Sequence, residues 1–96
     1  MSDNLFEDDD KRHKKQRQSR ELQLLTIRNI MKTENGRSFM WRSLQNCCTF
    51  DNIFSDDAIK HSYMAGARSH GLWLESELKD AAPDEYIMMR KEHLDE

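Results

Sequence analysis

Between residues 59 and 81, Ile59, Tyr63, Ala67, His70, Leu74, Leu78 and Ala81 recur at steps of 4, 4, 3, 4, 4 and 3. A side-chain period near 3.6 puts successive members on one face of an α-helix, whereas a strand needs alternation every second residue. The run predicts a helix over about residues 57–82, the longest regular element of the chain. Nothing alternates with period two over a useful length, so no sheet is expected.

The remaining elements follow from the same rule. Leu24, Ile27 and Met31, with Ile30 beside them, give an apolar face to a helix starting near Arg20. Thr33-Glu34-Asn35-Gly36 reads as its stop, since Asn-Gly favours a turn. A second helix is expected over about residues 36–48, with Met40, Trp41, Leu44, Cys47 and Cys48 on one stripe. Residues 49–57 form a loop in which Phe50 and Phe54 are expected to pin the chain to the core. Ser55 or Asp56 is the expected N-cap of the long helix. Pro83 suits the first turn of a fourth helix, on which Tyr86, Met89 and His93 share a face. The fold expected is all-α: a compact bundle of about four helices with a flexible charged N-terminal arm.

The arm is expected to cover residues 1–18 and the helical domain residues 19–96. Residues 1–20 hold only three apolar side chains, Met1, Leu5 and Phe6, too few to offset the entropy of ordering. Five acids (Asp3, Glu7, Asp8, Asp9 and Asp10) precede five bases (Lys11, Arg12, Lys14, Lys15 and Arg17). These cancel, so residues 19–96, with 10 bases and 13 acids, carry the whole net charge of −3. No segment has the roughly 18 apolar residues of a membrane span, and the N-terminus lacks a secretory signal, so no membrane partner is expected. The adjacent pair Cys47 and Cys48 cannot build a disulfide framework and is expected as reduced, partly buried thiols.

Chemistry is sparse. There is no glycine-rich phosphate loop, no nucleophile elbow and no HExxH helix. His61, His70, His93, Cys47 and Cys48 lack zinc-site spacing, so no metal or other cofactor is expected; His70, on the apolar stripe, reads as a hydrogen-bonded core histidine. Glu75 and Glu77 are two apart on a helix and cannot face each other. An enzyme is not expected.

Binding residues are the better candidates. Gly66 and Gly71 lie inside the long helix, where each costs about 1 kcal/mol relative to alanine. They flank the apolar stripe, so they favour close packing within the chain or a notch for a partner. With Arg68, and with Arg37 and Arg42 flanking the core-directed Trp41, they are candidates for a docking groove. Trp73 sits apart from the stripe and is either covered by the loop around Phe50 and Phe54 or left exposed as a binding hot spot. Lys11, Arg12, Lys14, Lys15, Arg17 and Arg20 suit contacts with nucleic-acid phosphate that ignore sequence, or with an acidic protein surface. A helix-turn-helix over residues 20–48 is disfavoured, because its second helix offers few basic side chains to a groove.

Three segments carry a family resemblance: Asn35-Gly36-Arg37-Ser38-Phe39-Met40-Trp41-Arg42-Ser43-Leu44, Gly66-Ala67-Arg68-Ser69-His70-Gly71-Leu72-Trp73-Leu74, and Pro83-Asp84-Glu85-Tyr86 with Met88-Met89. Together they resemble a small domain family of short-tailed bacteriophages, typified by protein nineteen of a Bordetella phage. The likeness covers about residues 25–92; Ala67 departs from it, standing where a bulky or basic residue is expected. The resemblance implies a phage origin and a virion-associated role, and brings with it no catalytic site or ligand. The function expected is binding to a larger phage protein (portal, capsid or internal protein) in head assembly, genome packaging or ejection, in the host cytoplasm or the virion. Exposed Leu72, Trp73 and Met88 would mediate self-association into a homo-oligomer. The alternatives are a phage inhibitor of a host protein, such as a nucleic-acid enzyme or defence complex, and an accessory DNA-binding factor working through the basic arm.

Overall fold

The computed structural model describes residues 2–95, with side-chain surroundings from Phe6 onward. Four helices build the chain: α1 (Ser2–Met31), α2 (Glu34–Asn46), α3 (Ala58–Ala81) and α4 (Pro83–Glu92). No strand occurs among the described residues. α1 packs on α3 and α2, α2 on α3 and α4, and α3 on α4, giving an all-α bundle. Met31, Trp41, Leu44, Leu78, Ala82 and Met89 form its buried centre, with Ile27, Met40, Leu74 and Tyr86 packed against them.

Helical backbone starts at Ser2, well before the helix start expected near Arg20. Met1 and the side chains of residues 2–5, part of the arm expected over residues 1–18, lie outside the described residues. Residues 6–19 all expose their side chains, and Arg20 is the first to be partly covered. From Lys11 to Gln18 this stretch is rich in Lys, Arg and Gln, which lose little rotamer freedom in a helix. Its acids precede its bases, which suits the helix dipole. No apolar packing contributes there.

Asn35-Gly36 does not make the turn expected of it. The break is Lys32–Thr33, and Thr33 is the N-cap of α2, its hydroxyl accepting from the Gly36 N–H at 3.0 Å. Asn35 and Gly36 therefore sit in the first helical turn. Gly36 is needed for close approach: a Cβ there would collide with the Ile30 carbonyl oxygen.

α2 ends in a Schellman motif. Cys48 N–H donates to the Gln45 carbonyl (3.0 Å) and Thr49 N–H to that of Leu44 (3.3 Å). Cys48 takes the left-handed position, φ 57°, usually filled by glycine. The buried Thr49 hydroxyl adds a hydrogen bond to the Leu44 carbonyl at 2.7 Å. Both cysteines are free and partly buried.

The loop is pinned by one phenylalanine, not two. Phe50 stacks on Trp41, ring centroids 5.4 Å apart, whereas Phe54 is 76% exposed. The N-cap of α3 is Asp57, one residue beyond the expected pair; its carboxylate accepts from Ile59 N (3.0 Å) and Lys60 N (3.1 Å). The His61 ring Nδ1 lies 3.1 Å from the Ile53 carbonyl and ties the loop to the helix start.

The stripe along α3 is divided. Leu74, Leu78 and Ala81 reach the core, but Ile59, Tyr63 and His70 are exposed. His70 is therefore no core histidine: its ring rests against Trp73, centroids 5.3 Å apart. The periodicity reports a helix correctly, but along this stripe only the second half reaches the core. The Cα radius of gyration is 18.4 Å with extents of 59 × 37 × 15 Å, against about 12–13 Å for a fully compact chain of this length.

The three glycines have different surroundings. A Cβ at Gly71 would collide with the Thr49 hydroxyl and crowd Cys47, whereas a Cβ at Gly66 meets nothing. In urea denaturation at low micromolar protein, Gly36→Ala and Gly71→Ala are each expected to lower stability by about 1–3 kcal/mol. Gly66→Ala is expected to raise it by up to about 1 kcal/mol. Equal effects at all three positions would contradict this packing.

Candidate binding surfaces

The best-formed concavity lies between α2, the loop after it and the end of α4. It encloses about 420 Å³ and is lined by Trp41, Gln45, Phe50, Asp51, Arg90, His93 and Leu94. That volume is within the range of pockets that hold small ligands or side chains. Trp41, 7% exposed, is its floor. Phe50 stacks on Trp41 at 5.4 Å with the planes 25° apart, and His93 stacks on it at 5.3 Å with 20°. The left-handed turn at Cys48 redirects the chain just before Phe50.

Arg90 lies over this aromatic group, its guanidinium carbon 4.5 Å from the Phe50 centroid and 5.3 Å from that of Trp41. A cation held over aromatic faces keeps its N–H donors for a further partner. No carboxylate of the described residues lies within ion-pair distance of it. His93 Nδ1 is 2.8 Å from the Met89 carbonyl. A carbonyl only accepts, so Nδ1 carries the proton and Nε2 is the open position. The site thus combines a planar cation, an imidazole nitrogen and the Gln45 amide over an aromatic floor. Asp51 is the one carboxylate among the described residues of the lining.

Tyr86 lies just behind Arg90. Its hydroxyl donates to Glu75 Oε2 at 2.7 Å. Burial, then the hydrogen bond and charge of Glu75, push its pKa up to about 12, with Arg90 opposing. On α1, Arg20 forms a forked pair with Glu77 of α3, 2.9 and 2.5 Å, with Asp80 also at 3.7 Å. The Arg20 hydrogen bond holds the Glu77 carboxyl below its ordinary value, against the effect of burial.

The residues expected at the docking groove are not brought together. Arg37 is buried and bonded within the chain: Nε and Nη2 to the Glu92 carboxylate, and Nη1 to the carbonyls of Met31 and Lys32. Arg42 is exposed over the Phe39 ring. Gly71 is buried against Thr49 and Cys47, Gly66 faces open space, and Arg68 is half-buried. Trp73 is 55% exposed and not covered by the loop; it lines a shallow hollow of about 390 Å³ with Gln23, Thr26, Ile27 and Glu77. Leu72 and Met88 are also exposed. Lys11, Arg12, Lys14, Lys15 and Arg17 all face solvent on α1, with Arg12 paired to Asp9 at 2.6 Å. Arg20 is occupied by Glu77.

Sequence reasoning missed Arg90, Phe50 and His93 as a site. His93 was placed correctly on the face of Tyr86 and Met89, but its meeting with Trp41 is a long-range contact that no local pattern encodes. Among the described residues no cluster of three or more His, Cys, Asp or Glu could hold a metal ion. No described helix is long and apolar enough to cross a membrane. Comparison with protein-family models, with curated proteins and with solved structures finds no match.

Tyr86 gives the bundle an alkaline limit. Its folded pKa exceeds its unfolded value near 10, so its contribution is complete below pH 10 and is lost as pH rises towards about 12. Melting temperatures across that window are expected to fall less for Tyr86→Phe than for the wild type. Parallel declines would show that Tyr86 does not titrate with unfolding.

Proposed function

We propose that the protein is a non-catalytic helical module that binds a larger protein, and that it serves in the particle of a tailed bacteriophage, in head assembly, genome packaging or ejection. The observation that carries the binding reading is Arg90. Its guanidinium lies over Phe50 and Trp41 at a 420 Å³ hollow, with no carboxylate of the described residues paired to it. A guanidinium fixed in this way is pre-organised for a bidentate carboxylate, and arginine and tryptophan dominate the energetics of protein interfaces. The partner that fits is an acidic residue, or a chain-terminal carboxylate, flanked by apolar side chains that cover Phe50 and Leu94.

The phage setting rests on the resemblance over residues 35–44, 66–74 and 83–89. Trp41 belongs to the first of these blocks and floors the hollow; the third block, through Tyr86 and Met89, supports the helix that carries Arg90. The exposed bases of α1 offer a second, salt-sensitive contact to DNA or to an acidic surface.

The test is a pull-down of the tagged full chain from infected cells, read by mass spectrometry, comparing wild type with Arg90→Glu. Portal, capsid or internal phage proteins are expected with the wild type and reduced about tenfold or more in the variant, with unchanged far-UV circular dichroism. Recovery of a single host protein would replace the particle reading with that of an inhibitor. Phage partners retained in full by Arg90→Glu would remove the hollow from the interface.

A further inference from the structure

The exposed half of α3 carries a second pattern beneath the core periodicity. Ile59, Tyr63, Gly66, His70 and Trp73 follow at steps of 4, 3, 4 and 3. That is the heptad spacing by which one helix seats against another along a seam. Every member is exposed: Ile59 by 84%, Tyr63 by 78% and Trp73 by 55%, with His70 leaning on Trp73 and Gly66 facing open space. From Ile59 to His70 the seam faces solvent, and Trp73 at its end borders α1 across the shallow hollow.

We infer that this seam pairs with the same seam of a second copy of the chain, the two α3 helices running antiparallel about a two-fold axis at Gly66. Three features select a second copy. The seam is self-complementary about Gly66: Ile59 and Trp73 stand seven residues to either side, so each meets the other across the axis. Tyr63 and His70, three and four residues to either side, likewise come together. At the axis two glycines face each other, and their lack of side chains lets the backbones approach there.

The flanking positions are Ser62, Ser69 and Ser76 on one side and Lys60, Ala67 and Leu74 on the other; Lys60, the one charge among them, lies near one end of the seam, so its two copies stand at opposite ends. Like charges are thus not forced together when the helix meets itself. Antiparallel packing also sets the two helix dipoles in opposition, which is favourable. The pairing removes on the order of 1,000 Å² of surface, enough for a weak specific dimer. It involves none of the hollow beside Arg90, which stays open in each copy.

The experiment is sedimentation equilibrium of the full chain from micromolar to sub-millimolar loading, for the wild type, Ile59→Glu and Tyr63→Glu. Both side chains face solvent in the single chain, so far-UV circular dichroism should be the same for all three. A monomer–dimer equilibrium in the wild type, weakened at least about tenfold in both variants, is the expected result. A wild type that stays monomeric throughout overturns the inference and leaves the seam to a different chain. A dimer of unchanged affinity in the variants also overturns it, because the interface would then lie elsewhere.

Discussion

The bundle depends on the side chain of Arg37. Three helix ends converge on it. Its Nη1 donates to the Met31 and Lys32 carbonyls at 3.0 and 3.1 Å, which helical hydrogen bonding leaves open at the end of α1. Its Nε and Nη2 bind the Glu92 carboxylate at the end of α4. The residue itself stands in the first turns of α2, so one guanidinium ties α1, α2 and α4 together. The Glu92 hydrogen bond pushes the already high Arg37 pKa further up, against the effect of burial. A buried cation is tolerable only when its donors are used, and here the structure uses them. Arg28 repeats the device elsewhere, its Nε donating to the Ala81 carbonyl at the end of α3 at 3.0 Å.

These polar ties matter because the apolar core is thin. Met31, Leu44, Leu78 and Met89 are the largest fully buried side chains, while Leu22, Phe39, Phe54, Ile59, Tyr63, Trp73 and Leu94 remain largely in water. A chain of 96 residues encloses little interior volume, so much of the apolar content has no interior to enter.

The helices were legible in the sequence because amphipathic periodicity is a local signal. Leu24, Ile27 and Met31, then Trp41 and Leu44, then Leu78 and Ala81, lie on the core sides of their helices as the spacing implied. Pro83 opens α4 as expected. What the sequence could not convey was extent. The α3 stripe reads the same from Ile59 to Ala81, yet only its second half is covered, because helix packing ends near Gly71. Asn35-Gly36 carries a turn signal that Thr33 capping overrides. Arg37 looked like a surface arginine because nothing local marks Glu92, 55 residues away, as its partner. The hollow beside Arg90 was invisible for the same reason: its parts come from α2, the loop and α4, and only folding assembles them.

Ala82 joins α3 to α4 alone, and it is buried. Its N–H is bound to the Leu78 carbonyl at 2.9 Å and its own carbonyl accepts from Tyr86 N at 2.9 Å. With Pro83 next in the chain, no spare backbone freedom remains at the junction. The two helices therefore form a bracket of fixed angle. Its long limb carries the Ile59–Trp73 face, and its short limb carries Arg90 and His93. The Ile59–Trp73 face and the Arg90 hollow are thereby held at a set bearing to one another.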